Sequence, residues 1–368
     1  MKFIRFITIA AVAASMLPLT AQTTRKLSAT KASEYGLIYT LPLTEIDVTV
    51  EAQSTVSKPG EFYQYAGKYL QLQSPVTHPS EVWELKSVTL TTRPVADQNE
   101  RYLVQFKAGS VPYMMINSQD FPVSINTEKT FEKPAVELPV SRAAEPTILD
   151  TPVATQAVTE EMLRSTSTAK RAELAAARII ELRQSRSDVM TGNADAMPSD
   201  GEAMKIAIDN INAQEQALTA MFAGTAQTAT EVETFSYRPD SLDTQRVVIA
   251  RLSPGKGIVS ADDLSGAPIY LGIKVTERGK LPINEKGLVK TFPKGGLAYR
   301  IPGIARVSVE FEGREVAAAD IPLAQAGVVF GLDPGLFTDR RTPAAAVFDP
   351  VSGAIVELST VSAPEAAK

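Results

Sequence analysis

The chain has 368 residues, of which 44% are apolar and 21% charged, proportions that support packed cores rather than a disordered polymer. With 42 acidic against 37 basic side chains and a formal net charge of −5, it lacks the cationic surplus that neutralises phosphates, so nucleic acid is not an expected partner. Zero cysteines and a single histidine, His78, remove thiolate nucleophiles, disulfides and clustered imidazole ligands for a metal.

Lys2 and Arg5 precede an apolar run over 6–17 that closes on Pro18-Leu19-Thr20-Ala21. A basic start, a short apolar stretch and small residues before a cut after Ala21 are the pattern of an export signal over 1–21, and the run is short for a bilayer span. No second apolar run reaches about 18 residues, so no integral membrane segment is expected after cleavage. No cysteine stands at the cut to carry a lipid. The expected location is therefore periplasmic, at the cell surface, or secreted.

Residues 30–132 read as an N-terminal β-rich domain with one short helix. Strands are expected over 36–41 and 45–51, where Ile46, Val48 and Val50 alternate with Asp47 and Thr49. Phe62, Tyr65, Ala66 and Tyr69 fall at helical spacing after the Pro59-Gly60 turn. Strands over 82–92 and 101–106 are expected to be joined by a hairpin connection containing Arg93-Pro94 and Asp97-Gln98-Asn99-Glu100. Pro134, Pro139, Pro146 and Pro152 then punctuate 133–164, which reads as a linker or extended crossover.

Residues 165–224 read as a helical hairpin. Its first helix, capped within Ser165-Thr166-Ser167-Thr168, carries the stripe Ala172, Ala175, Ala176, Ile179, Ile180, Leu182 and Val189 and stops at Gly192. The second follows Pro198-Ser199-Asp200, with Met204, Ile208, Ile211, Glu215, Leu218 and Phe222 on a heptad seam ending before Gly224. Folding about Met197 brings Glu215 beside Ala175, Ala176 and Arg178. A buried unpaired charge is too costly, so Glu215 should either meet an arginine, with Arg178 or Arg171 the expected partner, or face water.

From 230 to 361 alternation returns over 231–237, 245–252, 268–276, 306–311, 315–321, 327–332, 345–348 and 354–358, with turns at Glu312-Gly313 and Asp349-Pro350-Val351-Ser352-Gly353. A disordered tail is expected over 362–368. The fold class is α+β, mainly β: two antiparallel β-rich, sandwich-like domains with an antiparallel helical hairpin between them.

Candidate chemistry is sparse. Ser167-Thr168-Ala169-Lys170 has the spacing of a lysine-activated serine, but a serine at a helix start is more simply a cap, and Lys290-Thr291-Phe292 lacks the glycine of the companion motif. Asn193, Asp195, Asp200 and Glu202 offer oxygens for calcium without EF-hand spacing. His78 is a lone loop base with no nucleophile motif. The adjacent pairs Asp262/Asp263 and Glu160/Glu161 alternate faces if extended and so cannot act together as glycosidase acids. Arg178, Arg183 and Arg186 with Glu173, Glu181 and Asp188 read as a solvated helix face. No residue is assigned a catalytic, cofactor-binding or metal-binding role.

The chain resembles a family of exported Bacteroidetes-type proteins known as a domain of unknown function. The likeness rests on Tyr39-Thr40-Leu41-Pro42, Pro59-Gly60-Glu61-Phe62-Tyr63-Gln64-Tyr65-Ala66, Trp83-Glu84-Leu85, Arg183-Gln184-Ser185-Arg186-Ser187-Asp188, Pro198-Ser199-Asp200-Gly201-Glu202-Ala203, Tyr299-Arg300-Ile301-Pro302-Gly303 and Phe348-Asp349-Pro350. It implies a secreted, envelope-associated protein and carries no activity with it. The leading expectation is a non-enzymatic interaction or assembly component of the cell envelope with an envelope protein as partner. The alternative is a glycan- or small-ligand-binding module using Tyr63, Tyr65, Trp83 and Tyr113; a carboxylate-dependent hydrolase ranks third.

Overall fold

A computed structural model of the chain describes residues 23–26, 36–105, 113–196, 201–240, 243–338 and 342–360. The export signal expected over 1–21, the hairpin tip at Met197 and Pro198-Ser199-Asp200, and the tail over 362–368 lie outside the described residues. The fold is α+β and mainly β, with antiparallel sheets throughout.

The first sheet has the order β1-β3-β2-β6, from β1 (Thr23–Lys26), β2 (Leu37–Lys58), β3 (Ser80–Gln105) and β6 (Thr225–Tyr237). β4 (Met114–Ile116) and β5 (Pro122–Ile125) enter another sheet. The second sheet runs β11-β10-β9-β7-β8, from β7 (Thr244–Ser253), β8 (Gly257–Val259), β9 (Ala267–Glu277), β10 (Leu297–Phe311) and β11 (Arg314–Leu332). Its inner face meets that of the first sheet through Ile46, Val48, Val50, Leu271, Val307 and Leu323, all fully or almost fully buried. Period-two alternation sends Asp47, Thr49 and Glu51 to the opposite face.

The third sheet has the order β13-β12-β5-β4, with β12 (Ala344–Phe348) and β13 (Ile355–Thr360), and so draws on both β-rich segments. Beneath it lies a second core of Tyr39, Leu41, Val104, Leu297, Phe337 and Phe348. The buried Tyr39 hydroxyl accepts from the Ala298 amide at 2.8 Å and donates to the Ala298 carbonyl at 3.1 Å, tying β2 to β10. Burial holds this phenol well above its ordinary pKa. Arg300 and Asp97, both nearly buried, form an ion pair across the same junction.

Helices form the third core. A 3-10 turn (Tyr63–Tyr65) leads into α1 (Ala66–Leu70); α2 (Pro152–Ala157) and α3 (Glu160–Arg164) precede α4 (Thr168–Thr191) and α5 (Gly201–Ala223); a short α6 (Gly335–Thr338) lies beyond β11. Phe62, Met162, Ile179, Leu218 and Phe222 fill it. Ser167 caps α4 by accepting from the Lys170 amide, and Gly192 ends the helix with φ 77, a conformation that a side chain would strain. Of the expected stripe, Ile180 alone faces out, at 61% exposure.

Several expectations change. The strands expected over 36–41 and 45–51 are one, β2, and those over 82–92 and 101–106 are one, β3, with no hairpin between them. Thr44 pairs with Pro94, and Thr44 turns its amide away from β3 to meet Gln325. The proline nitrogen therefore faces the edge of β3 where no strand lies, so nothing is lost from the ladder. Asp97-Gln98-Asn99-Glu100 bulges out of the strand as an Asx turn, with Asp97 accepting from the Asn99 amide at 2.9 Å.

The strands expected over 315–321 and 327–332 likewise merge into β11. β10 begins at Leu297 rather than 306, because a bulge between Ile301 and Gly303 absorbs Pro302. Residues 133–164, expected as a linker or crossover, contain α2 and α3, which bury Ala154, Ala157 and Met162 in the helical core. The last change concerns Glu215, which pairs with Arg183 at 2.6 Å and Arg186 at 2.7 Å rather than with Arg178 or Arg171. Helical side chains lean toward the N-terminus, so arginines one to two turns further on reach the level expected of Arg178.

Candidate functional site

β6 is the outer strand of the first sheet, and its free edge carries a groove of about 630 Å³. The strand leaves α5 through Gly224, whose φ of 85 turns the chain sharply from helix to sheet. Its opening residues, Thr225-Ala226-Gln227-Thr228-Ala229-Thr230, form the groove floor beside the end of α5.

The opposite wall is the proline-punctuated segment before α2. Lys133 Nζ donates to Thr92 Oγ1 at 3.0 Å on β3, and nine residues later Arg142 pairs with Thr230 on β6 through reciprocal amide–carbonyl bonds of 2.9 and 2.8 Å. The segment thus passes from one edge of the sheet to the other as a strap. Ser141 Oγ accepts from the Val232 amide at 2.9 Å, which pins the strap for two residues only. Gln227 Nε2 then reaches the Glu145 carbonyl at 2.8 Å, and Pro146, next in the chain, has no amide with which to continue a ladder.

Before Thr230, among the described residues, no backbone group of the strap pairs with the backbone of this edge. The Thr230 backbone points outward to Arg142, so by alternation the amides and carbonyls of Thr228 and Ala226 also face the groove. The charged groups lining the groove are Lys86, Arg142 and Glu145, and Lys86 pairs with Glu51. Ser87 at 2.7 Å and Lys86 at 2.9 Å hold the Glu51 carboxyl below its ordinary pKa, with the Arg142 charge adding to the effect. Lys86 is engaged by Glu51, which leaves Arg142 as the cation facing an incoming group. The arrangement supplies hydrogen bonds in strand geometry and one positive charge; it contains no paired acid and base and no nucleophile with a base.

The residues singled out from sequence lie elsewhere. Ser167 Oγ is occupied as a cap and Lys170 Nζ pairs with Glu173 at 2.7 Å, so the two do not form a nucleophile–base pair. His78 is exposed, its Nδ1 2.8 Å from the Thr77 hydroxyl. Asn193 donates to Thr191 Oγ1 at 3.1 Å, Asp195 is exposed, Glu202 sits in the first turn of α5, and Asp200 lies outside the described residues. Among the described residues no three carboxylate or imidazole groups converge on a point that would hold a metal.

Asp263 accepts from the Ser265 amide at 2.9 Å, and hydrogen bonding to Ser265 takes its pKa down to about 2, the wrong direction for a general acid. Glu160 pairs with Arg164, and both it and Glu161 occupy the first turn of α3. Arg178 pairs with Glu181, and Gln184 with Asp188, on the outer side of α4. The aromatic set is not assembled: Tyr65 packs in the helical core, Trp83 in the sandwich, and Tyr113 is exposed next to β4, its amide on Asn126.

β6 begins at Thr225, six residues before the expected start at Glu231, and the groove floor falls in that difference. The signal was present in Thr225-Ala226-Gln227-Thr228, a β-permitting run directly after a helix-ending glycine. Among the described residues no helix is long and apolar enough to cross a membrane. The chain belongs to the family described as Domain of unknown function (DUF4831), whose sequence profile covers residues 35–356. No curated protein and no solved structure matches it.

Proposed function

We propose that this member of the DUF4831 family is an exported, non-enzymatic interaction component of the cell envelope, and that it takes an extended segment of a partner protein along the β6 edge. The observation that supports this is the pair of outward-facing backbone units on the β6 edge, Thr228 between the Arg142–Thr230 and Gln227–Glu145 tethers and Ala226 just beyond the second. A strand laid there gains main-chain hydrogen bonds without distorting the receptor, the usual physics of strand addition. Arg142 at the mouth favours an acidic residue in the incoming segment. Export rests on the basic and apolar pattern of the first 21 residues.

A photo-reactive residue at Thr228 in intact cells, compared with one at Arg314 on a distant turn, tests the reading. Crosslinking to one defined partner from Thr228 alone, with amide exchange at Ala226 and Thr228 slowed by a peptide from the crosslinked region, is expected. Equal labelling from both positions, or hydrolytic turnover abolished by His78→Ala or Ser167→Ala, would overturn it.

A further inference from the structure

The connection between β9 and β10 projects from the sandwich with an unusual composition. From Gly279 to Gly295 it holds Lys280, Lys286, Lys290 and Lys294 against the single acid Glu285, in a chain whose formal net charge is −5. The lysines are exposed, and among the described residues no ion pair engages them. Interleaved with them, Ile283 is 64% exposed, Leu288 63% and Val289 58%.

The loop has a defined shape. Ile283 and Val289 form an antiparallel bridge, so both side chains lie on one face. Asn284 Oδ1 accepts from the Lys286 and Leu288 amides at 2.9 and 3.0 Å, and Gly287 takes φ 74 to close the turn. The base leans on Tyr299 and Phe330 around a groove of about 580 Å³. The apolar residues are therefore presented on a built hairpin.

We propose that this hairpin docks the protein on an anionic phospholipid surface, with Ile283, Leu288 and Val289 entering the headgroup boundary and the lysines meeting lipid phosphates. Protein–protein contacts are depleted in lysine and enriched in arginine, whereas no arginine occurs between Gly279 and Gly295. Lysine is suited to a bilayer, since its stem lies along apolar surface while the ammonium reaches the headgroups. Apolar tips combined with several lysines supply the two attractions that interfacial binding requires.

The chain contains no cysteine, so Thr291→Cys places one environment-sensitive fluorophore on the loop, and Arg314→Cys places a control at the far end of the 15-residue β10. The dye reports its own position, so attachment elsewhere in the chain does not contribute. With vesicles of phosphatidylcholine and phosphatidylglycerol, a blue shift is expected at position 291 and not at 314, weakened by salt and absent with phosphatidylcholine alone. Each Lys→Gln change at 280, 286, 290 or 294 should weaken binding about fivefold, and Ile283→Ser with Leu288→Ser should abolish the shift. Thermal midpoints equal to the parent confirm that the variants fold; single lysine variants carry the series if the combined one does not. No shift at 291, an equal shift at 314, or indifference to the lysine changes would overturn the proposal. So would a shift at 291 on raising protein concentration without lipid, which would mark a protein interface.

Discussion

The Gln325 side chain takes the place of a neighbouring strand against Thr44. Its Oε1 accepts the Thr44 amide at 3.0 Å and its Nε2 donates to the Thr44 carbonyl at 2.8 Å, at a point on β2 just before pairing with β6 begins at Ile46. Thr44 is fully buried, so both backbone groups need partners. Gln325→Leu strands them, and each unsatisfied buried group costs about 1–3 kcal/mol. A urea midpoint lowered accordingly with unchanged m is expected; an unchanged midpoint would show that water or a local shift replaces the amide.

The Arg300–Asp97 pair joins the β10 strand to the bulge in β3 with both side chains nearly out of solvent, and Arg300 Nε finds no partner. Removing the carboxylate leaves a guanidinium in a site that cannot hydrate it. Asp97→Ala should therefore cost about 3–5 kcal/mol, while Asp97→Leu combined with Arg300→Met should lose much less, because the desolvation penalty disappears with the charge. A double-mutant cycle by denaturant unfolding distinguishes this from a pair held together by attraction alone, in which the double variant would be as unstable as the single.

What sequence made legible follows from local physics. Ser167 and Gly192 bound α4 because capping and left-handed termination are decided within one turn. The alternation of Ile46, Val48 and Val50 marked the buried face of β2 for the same reason. Pro94 misled because its effect depends on which neighbour lies beside it, and the bare edge of β3 is a fact of sheet order. The β6 groove was hidden more deeply: its two walls, Arg142 and Thr230, are 88 residues apart in sequence. No local pattern announces that a proline-rich strap will lie along a strand edge.

Glu215 interrupts the apolar seam of α5 with a side chain that is 13% exposed, bound to Arg183 at 52% and Arg186 at 34%. Half-exposed pairs contribute about 0–1 kcal/mol, and a buried leucine about 1.5–3 kcal/mol. Glu215→Leu should thus raise the thermal midpoint by a few degrees, since both arginines can turn to water. Glu215→Ala should lower it slightly. A fall with leucine, followed by circular dichroism, would show that the ion pairs govern the helix register.

Glu51 gives the stability a sign with pH. Its carboxyl, hydrogen-bonded first by Ser87 and then by Lys86, ionises below the ordinary value of 4.5 in the folded chain. The unfolded chain binds more protons in the window between the two values, so stability rises with pH there. The contribution is complete above the ordinary value and is lost as pH falls through the folded one. Comparing parent and Glu51→Gln by urea midpoints, the gap should be constant above the ordinary carboxyl value of 4.5 and close as acidification proceeds below it. Ser87→Ala should remove most of that dependence, because the hydroxyl is the largest cause of the shift. A gap that widens on acidification would mean that the carboxylate is strained beside Ser87 and Lys86 and is relieved by protonation.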